Sequence, residues 1–208
     1  MLNLSDYLTY TIRSARLESS PWQYAHIEPA IPTDLANDLA KCFDLVPMSR
    51  CEQLKTAKTY RFSMAKLTAD SPIVDGLWKR GLEVFDSQAY RAALRTLTSI
   101  ELCDAEVTFN LWEYAENDWL SPHLDKVEKL VTQIIYLTQE WHEGAGGRLL
   151  ILESNEPASA VRCIAPRFGA STILVRSESS WHAVEPVARG LTVRRSLTVT
   201  YWSNRSVA

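Results

Sequence analysis

Apolar and polar positions change rhythm near the middle of the chain. In the first half they recur at helical spacing. Leu4, Tyr7, Leu8, Ile12 and Leu17 form one such stripe, with Ser5-Asp6 able to open a helix ahead of it. The segment from Pro21 to Pro32 carries three prolines and reads as extended. Thr33-Asp34 then predicts the start of a second helix, which carries Leu35, Leu39, Cys42 and Phe43 and is closed by Pro47. Ser71-Pro72 is a good cap and first turn for a third helix over Ile73, Leu77, Trp78, Leu82 and Phe85. Ser87 can cap a fourth through Tyr90, Ala93, Leu94 and Leu97. Between the second and third helices, one strand is expected around Thr59–Met64.

From Ala105 onward the period falls to two. Val107, Phe109 and Leu111 alternate with their neighbours, and Val131, Gln133 and Ile135 oppose Thr132, Ile134 and Tyr136. Further strands are expected at 148–152, 161–164, 171–176, 182–187 and 192–202, joined by turns at 144–147, 166–169 and 189–190. Short strands at this spacing predict a sandwich or barrel. The fold class expected is α+β: a double-stranded β-helix (jelly-roll, cupin-like) core with N-terminal supporting helices. Residues 105–202 form that core and 1–104 the mainly helical support, in one domain over 1–208.

Composition narrows the partners. Apolar residues make up 46% and charged residues 23%, enough for a sizeable packed core. The net charge of −3, with no Lys/Arg run longer than a pair such as Arg194-Arg195, argues against nucleic acid. No apolar stretch approaches bilayer length and the N-terminus lacks a signal-peptide pattern, so no membrane partner and a cytoplasmic location are expected. Cysteines at 42, 51, 103 and 163 form no Cys-x-x-Cys pair and read as reduced thiols. Oligomeric state is left open.

The candidate chemistry lies in His123-Leu124-Asp125 and in His182, 57 positions past the aspartate. On an extended segment, residues two apart share a face, so His123 and Asp125 can serve one ion. Two imidazoles and a carboxylate suit non-haem ferrous iron with open coordination positions, and do not suit a thiolate-type structural zinc. His-x-Asp alone also arises by chance. Here its weight comes from the strand-rich setting, Gly146-Gly147 between the two histidines, and an arginine after the second. An arginine can fork onto a carboxylate, and period two lets only one of Arg194 and Arg195 face inward.

These residues carry a family resemblance. Tyr114 to Asp125, Ile134 to Thr138, Trp141 with Gly146-Gly147-Arg148-Leu149, Trp181 to Val187 and Arg194 to Tyr201 together resemble the prolyl-hydroxylase-like branch of the 2-oxoglutarate/Fe(II)-dependent oxygenase superfamily. The resemblance covers about residues 105–202. It implies that His123, Asp125 and His182 are the catalytic metal ligands, holding Fe(II). It implies that Arg194 pairs with the distal carboxylate of 2-oxoglutarate, chosen over Arg195 because Thr198, four residues on, shares its face. Tyr136 would donate its hydroxyl to that carboxylate, and Thr198 can reach it. Tyr114 falls at a pocket-lining position, while Leu149 and Val184 match apolar positions lining the cosubstrate pocket. Ascorbate is a further possible cofactor. Related halogenases have a small residue in place of the carboxylate ligand, so Asp125 points to hydroxylation or a related oxidation.

The resemblance thus implies a dioxygenase that consumes 2-oxoglutarate and O2 and releases succinate and CO2. The substrate expected is a small molecule, such as an amino acid or natural-product intermediate, with Arg148, Arg176, Lys126 and Lys129 as charges that could greet it. Prolyl hydroxylation of a protein or peptide is the alternative, and a non-catalytic metal-binding cupin-type module the second alternative. Nucleic-acid demethylation is disfavoured by the acidic balance.

Overall fold

The computed structural model describes residues 3–68, 71, 76–190 and 193–204. Four helices and eleven strands are assigned among them. The helices are α1 (Leu4–Arg13), α2 (Thr33–Leu45), α3 (Leu77–Asp86) and α4 (Gln88–Thr98). Asn3, rather than Ser5-Asp6, caps α1: its side chain accepts the Asp6 N–H at 2.8 Å. Helix α2 starts where the sequence predicts, with Asp34 in its first turn. For α3, Pro72 and Ile73 lie outside the described residues. The helix begins at Leu77, and the Trp78 N–H is taken by Asp38 of α2 at 3.0 Å. Ser87 caps α4, as expected, by accepting the Tyr90 N–H.

The strands are β1 (Tyr24–Ile27), β2 (Ser49–Gln53), β3 (Tyr60–Leu67), β4 (Glu106–Tyr114), β5 (Trp119–His123), β6 (Lys129–Tyr136), β7 (Leu149–Leu152), β8 (Ala160–Ile164), β9 (Ser171–Val175), β10 (His182–Val184) and β11 (Arg194–Trp202). All pair antiparallel, in the order β1-β9-β6-β11-β4-β3-β5-β10-β7-β8, with β2 on β3. Strand β3 is the corner: residues 63–67 pair with β4 while Tyr60 and Arg61 pair with β5. The sheet therefore curls into two walls. Tyr24, Ile134, Tyr136 and Leu174 from one wall pack with Leu149, Ile151 and Ile164 from the other. This is the double-stranded β-helix expected.

Three strands were not expected, one of them β5, where the sequence predicts only an extended segment at 123–125. β1 falls in the proline-punctuated segment and pairs with β9. β2 is mostly polar and carries no apolar alternation to reveal it. Two others are shifted. The predicted 182–187 run pairs with β5 and β7 only through Val184, and Thr192 lies outside the described residues, so β11 is first seen as a strand at Arg194.

The alternation on the long strands decides what each face does. Val131 and Ile135 of β6, Ile173 of β9 and Leu197, Val199 and Tyr201 of β11 bury themselves against Leu8, Ile12, Leu35 and Leu94 of the helices. Each such apolar side chain stabilises by about 1.5–3 kcal/mol on burial. The helices thus cover one face of the larger wall. Residues one step out of phase, among them Thr132, Ile134, Arg194, Ser196 and Thr198, point into the space between the walls.

Candidate metal centre and cosubstrate pocket

His123 ends β5 and His182 begins β10, and they are direct cross-strand partners. Their rings lie 4.2 Å apart between centroids. The register slips between His182↔His123 and Val184↔Leu120, so β5 carries an extra residue across Ser121-Pro122. Pro122 has no N–H to give the ladder and is tolerated at such a bulge. Asp125 lies two residues past the end of β5, in the following loop. It sits on the stretch between the end of β5 and the turn at Val127-Glu128, outside the strand ladder. One ligand atom from each of His123, Asp125 and His182 lies within 4.8 Å of the others.

The second ring nitrogens fix the chemistry of the first. Nδ1 of His123 donates to the Ser121 carbonyl at 3.0 Å, and Nδ1 of His182 donates to the Ser180 carbonyl at 2.9 Å. A carbonyl can only accept, so each Nδ1 carries the proton and each Nε2 keeps its lone pair for a metal. Burial pushes both imidazoles below their ordinary pKa; for His123, His182 and Lys58 push further in the same direction. Burial acts to raise the Asp125 carboxyl, but His182, Lys129 and His123 outweigh it and hold the group well below the usual carboxylate range. Lys129 donates to Asp125 at 2.7 Å and Thr132 at 3.4 Å. Two neutral imidazoles and one ionised carboxylate are a donor set that fits ferrous iron.

Arg194 opens β11, directly opposite Tyr114 of β4. It is 2% exposed. Its guanidinium lies over the Tyr114 ring at 4.9 Å and the Tyr136 ring at 5.5 Å. One donor reaches Ser196 at 3.2 Å, but the buried Nε has no partner. Arg195, one residue on, points to the helical face. There it pairs with Glu113 at 2.9 Å, approaches Asp44 at 3.8 Å and covers the Phe43 ring. Period two thus sends one arginine to structure and leaves the other unpaired inside. Gly147, with φ +67°, makes room for it: a Cβ there would sit 3.2 Å from the Arg194 side chain.

A cavity of about 230 Å³ joins Arg194 to the triad. Tyr114, Leu149, Val184 and Thr198, all singled out in the sequence, line it. Burial pushes the Tyr114 hydroxyl up to about 12 against the pull of Arg194, so it stays protonated. Thr198 accepts from Trp112 Nε1 at 2.9 Å. Tyr136 stands behind this lining: it is fully buried, its ring meets Arg194, and its hydroxyl is engaged with Thr172 at 2.9 Å. Of the four charges expected to greet a substrate, Lys129 lines the cavity. Arg148 is forked onto Glu185 at 2.6 and 2.7 Å and Arg176 is paired with Glu178, each on a neighbour close in its own wall.

Sequence reasoning passed over several residues here. Ser196 shares the face of Arg194 two residues on and was legible by period two. Lys58, Tyr60, Phe62 and Trp112 also line the cavity, but they come from the poorly patterned first half or from a strand whose inward face was not assigned. Asp118, fully buried, accepts Arg50 with both oxygens at 2.5 Å and the Ala115 N–H at 2.9 Å, fixing the turn into β5. Nothing in the spacing of Arg50 and Asp118 announces that pair.

Residues 109–204 match the family model described as the 2OG-Fe(II) oxygenase superfamily. No curated protein matches the chain in sequence. Among solved structures, the chain is similar to a Pseudomonas putida prolyl-4-hydroxylase at 16% identity, with a TM-score of 0.69 over 95% of this chain and 99% of that one. It is similar to a Trichoplax adhaerens prolyl hydroxylase in complex with a hypoxia-inducible-factor peptide, at 15% identity, TM-score 0.60, over 96% and 89%. It is also similar to the alpha-ketoglutarate-dependent epimerase SnoN from nogalamycin biosynthesis, at 13% identity, TM-score 0.57, over 96% and 80%. The family match places residues 109–204 with the 2-oxoglutarate/Fe(II)-dependent oxygenases, and the chain as a whole has the prolyl-hydroxylase-like form of the double-stranded β-helix. The oxygenase match implies 2-oxoglutarate and O2 as cosubstrates.

Proposed function

We propose that this enzyme oxidises an unactivated C–H bond of a small molecule, such as an amino acid or natural-product intermediate, with release of succinate and CO2. The observation that carries the cosubstrate assignment is Arg194. A buried guanidinium with an orphaned Nε and no carboxylate partner is costly unless an anion completes it. It opens onto the cavity that holds the triad. The distal carboxylate of 2-oxoglutarate supplies that anion, received by Arg194 with Thr198 alongside.

In this reading His123, Asp125 and His182 hold the iron. The Ser121 and Ser180 carbonyls and Lys129 keep those ligands oriented and in the right protonation state. Tyr114 and Tyr136 flank the guanidinium and set its direction, while Leu149 and Val184 exclude water from the cosubstrate. When bound, the ferrous ion supplies the oxygen activation that couples 2-oxoglutarate decarboxylation to substrate oxidation. Ascorbate would serve only to keep that iron ferrous.

A cavity of about 230 Å³ is smaller than the roughly 300–1,000 Å³ of drug-sized ligand sites, which favours a compact substrate. The second reading, a peptidyl-proline substrate, is favoured by the likeness to the Pseudomonas putida and Trichoplax adhaerens prolyl hydroxylases. Succinate formation with ferrous iron and 2-oxoglutarate tests the class. His123→Ala and Asp125→Ala should each cut uncoupled succinate release by more than the roughly 10–100-fold that an outer partner of a metal ligand costs. Unchanged release in either variant would refute the iron assignment. Substrate-coupled release with a peptidyl-proline substrate, and none with small acids, would refute the small-molecule reading.

A further inference from the structure

The charged groups lining the cavity are unevenly matched. Asp125 stands against three cations, Lys58, Lys129 and Arg194. A ferrous ion and a 2-oxoglutarate dianion cancel one another, and Asp125 offsets one cation. Two positive charges are left in a space with apolar walls, where they attract an anion more strongly than in water. Lys129 is spent on Asp125 at 2.7 Å, and Arg194 faces the cosubstrate. Lys58 stands at the exposed rim, with no paired carboxylate among the described residues.

The segment that presents Lys58 is tied to the metal strand. Lys58 lies in the connection between β2 and β3, one residue before Thr59. The Thr59 N–H donates to Ser121 Oγ at 2.8 Å, and the Ser121 N–H donates to the Thr59 carbonyl at 2.9 Å. The Thr59 hydroxyl accepts Trp119 Nε1 at 3.2 Å, and the Lys58 carbonyl accepts the Thr56 hydroxyl at 2.7 Å. Ser121 is the residue whose carbonyl holds the His123 ring. The Lys58 backbone is therefore held in register with a metal ligand.

Beside it runs an aromatic wall. Tyr60 stacks on Phe62 at 4.9 Å and 20°, and Phe62 meets Trp112 edge-on at 4.8 Å. All three line the cavity, and Tyr60 and Trp112 are only half-buried. Half-buried rings in a cavity wall are a stacking surface for a planar or apolar body.

We propose that the substrate is an organic anion with a flat apolar body, its anionic group held by Lys58 and its body laid along Tyr60, Phe62 and Trp112. The inference rests on the proposed oxygenase reading and deepens it by naming a substrate class. Hydrocinnamate and its neutral amide, hydrocinnamide, are the probes, titrated calorimetrically into protein loaded anaerobically with Fe(II) and 2-oxoglutarate. The acid should bind at least about tenfold more tightly than the amide, the scale of one charge-assisted contact. Lys58→Met should bring the acid down to the affinity of the amide, leaving the amide itself unmoved, and Lys58→Arg should keep the preference. Trp112→Leu should weaken both probes.

The proposal is overturned if the acid fails to bind saturably, if acid and amide bind alike, or if Lys58→Met leaves their ratio unchanged. It is also overturned if the acid displaces 2-oxoglutarate and depends on Arg194 instead of Lys58. Iron-dependent 2-oxoglutarate turnover, measured separately without a probe, shows whether a negative result strikes this inference or the oxygenase reading beneath it.

Discussion

The two faces of β11 make opposite use of one sequence rhythm. On the helical face, Leu197, Val199 and Tyr201 are packed and Arg195 is paired with Glu113. On the cavity face, Arg194 is equally buried yet leaves Nε unpartnered, with Ser196 and Thr198 beside it in the cavity lining. The first face is complete without a ligand. The second is not, and its incompleteness is what marks it as a binding surface. Two adjacent arginines thus separate structural from cosubstrate roles.

That contrast can be broken first on the packed face. Leu197→Ala should cost about 2–5 kcal/mol, the usual range for emptying a filled core position. Thermal unfolding of the metal-free protein reads it directly. Thr198→Ala, one step over, removes a hydroxyl facing the cavity and should cost much less. Equal losses at the two positions would mean that the faces are not differently committed.

Next comes the outer support of the metal site. Lys129→Met removes the ammonium that holds Asp125 and should weaken Fe(II) binding about tenfold, the low end for outer-partner changes. Equilibrium metal titration checks this. An unchanged affinity would show that Lys129 serves only as a surface cation.

The smallest effect is in pH. His123, His182 and His26 all have folded pKa values below the ordinary 6.5, chiefly through burial. The unfolded chain then binds more protons than the folded one below 6.5, so stability should fall as the pH is lowered through that value. Above about pH 8 all three are neutral in both states, and their contribution should be flat. Each unit of depression adds about 1.4 kcal/mol at most. A melting temperature for the metal-free protein that rises below pH 6 would contradict the buried-neutral assignment, and His123→Gln should make the slope shallower.

Much of this site was legible because its residues obey short-range rules. Period two alone sorts Val131, Gln133 and Ile135 from Thr132, Ile134 and Tyr136, and separates Arg194 from Arg195. The ligand types are local as well. What escaped depends on long-range register or on breaks in regularity. Asp125 reaches the site from the segment after β5, beyond the ladder that pairs His123 with His182. Asp118 and Arg50 meet across 68 residues, and no local pattern encodes such a pair. Lys58 is an ordinary loop lysine until Thr59 locks to Ser121. The polar strand β2 has no apolar stripe to read and exists through its ladder with β3. The hydroxyl of Tyr136 illustrates the same limit: its face was readable, but its engagement by Thr172 follows from the β6–β9 register.

The central claim is that Arg194 is the cation awaiting a carboxylate beside the metal. The affinity of 2-oxoglutarate for the anaerobic Fe(II)-loaded protein tests it most directly, compared among the natural sequence, Arg194→Met and Arg195→Met. Losing charge-assisted contacts worth about 1.5–3 kcal/mol should weaken 2-oxoglutarate by about 10–150-fold in Arg194→Met, with Fe(II) affinity retained. Arg195→Met should leave 2-oxoglutarate affinity within about twofold and reduce stability instead. Equal 2-oxoglutarate affinity in Arg194→Met and the natural protein, or a loss confined to Arg195→Met, would contradict the account.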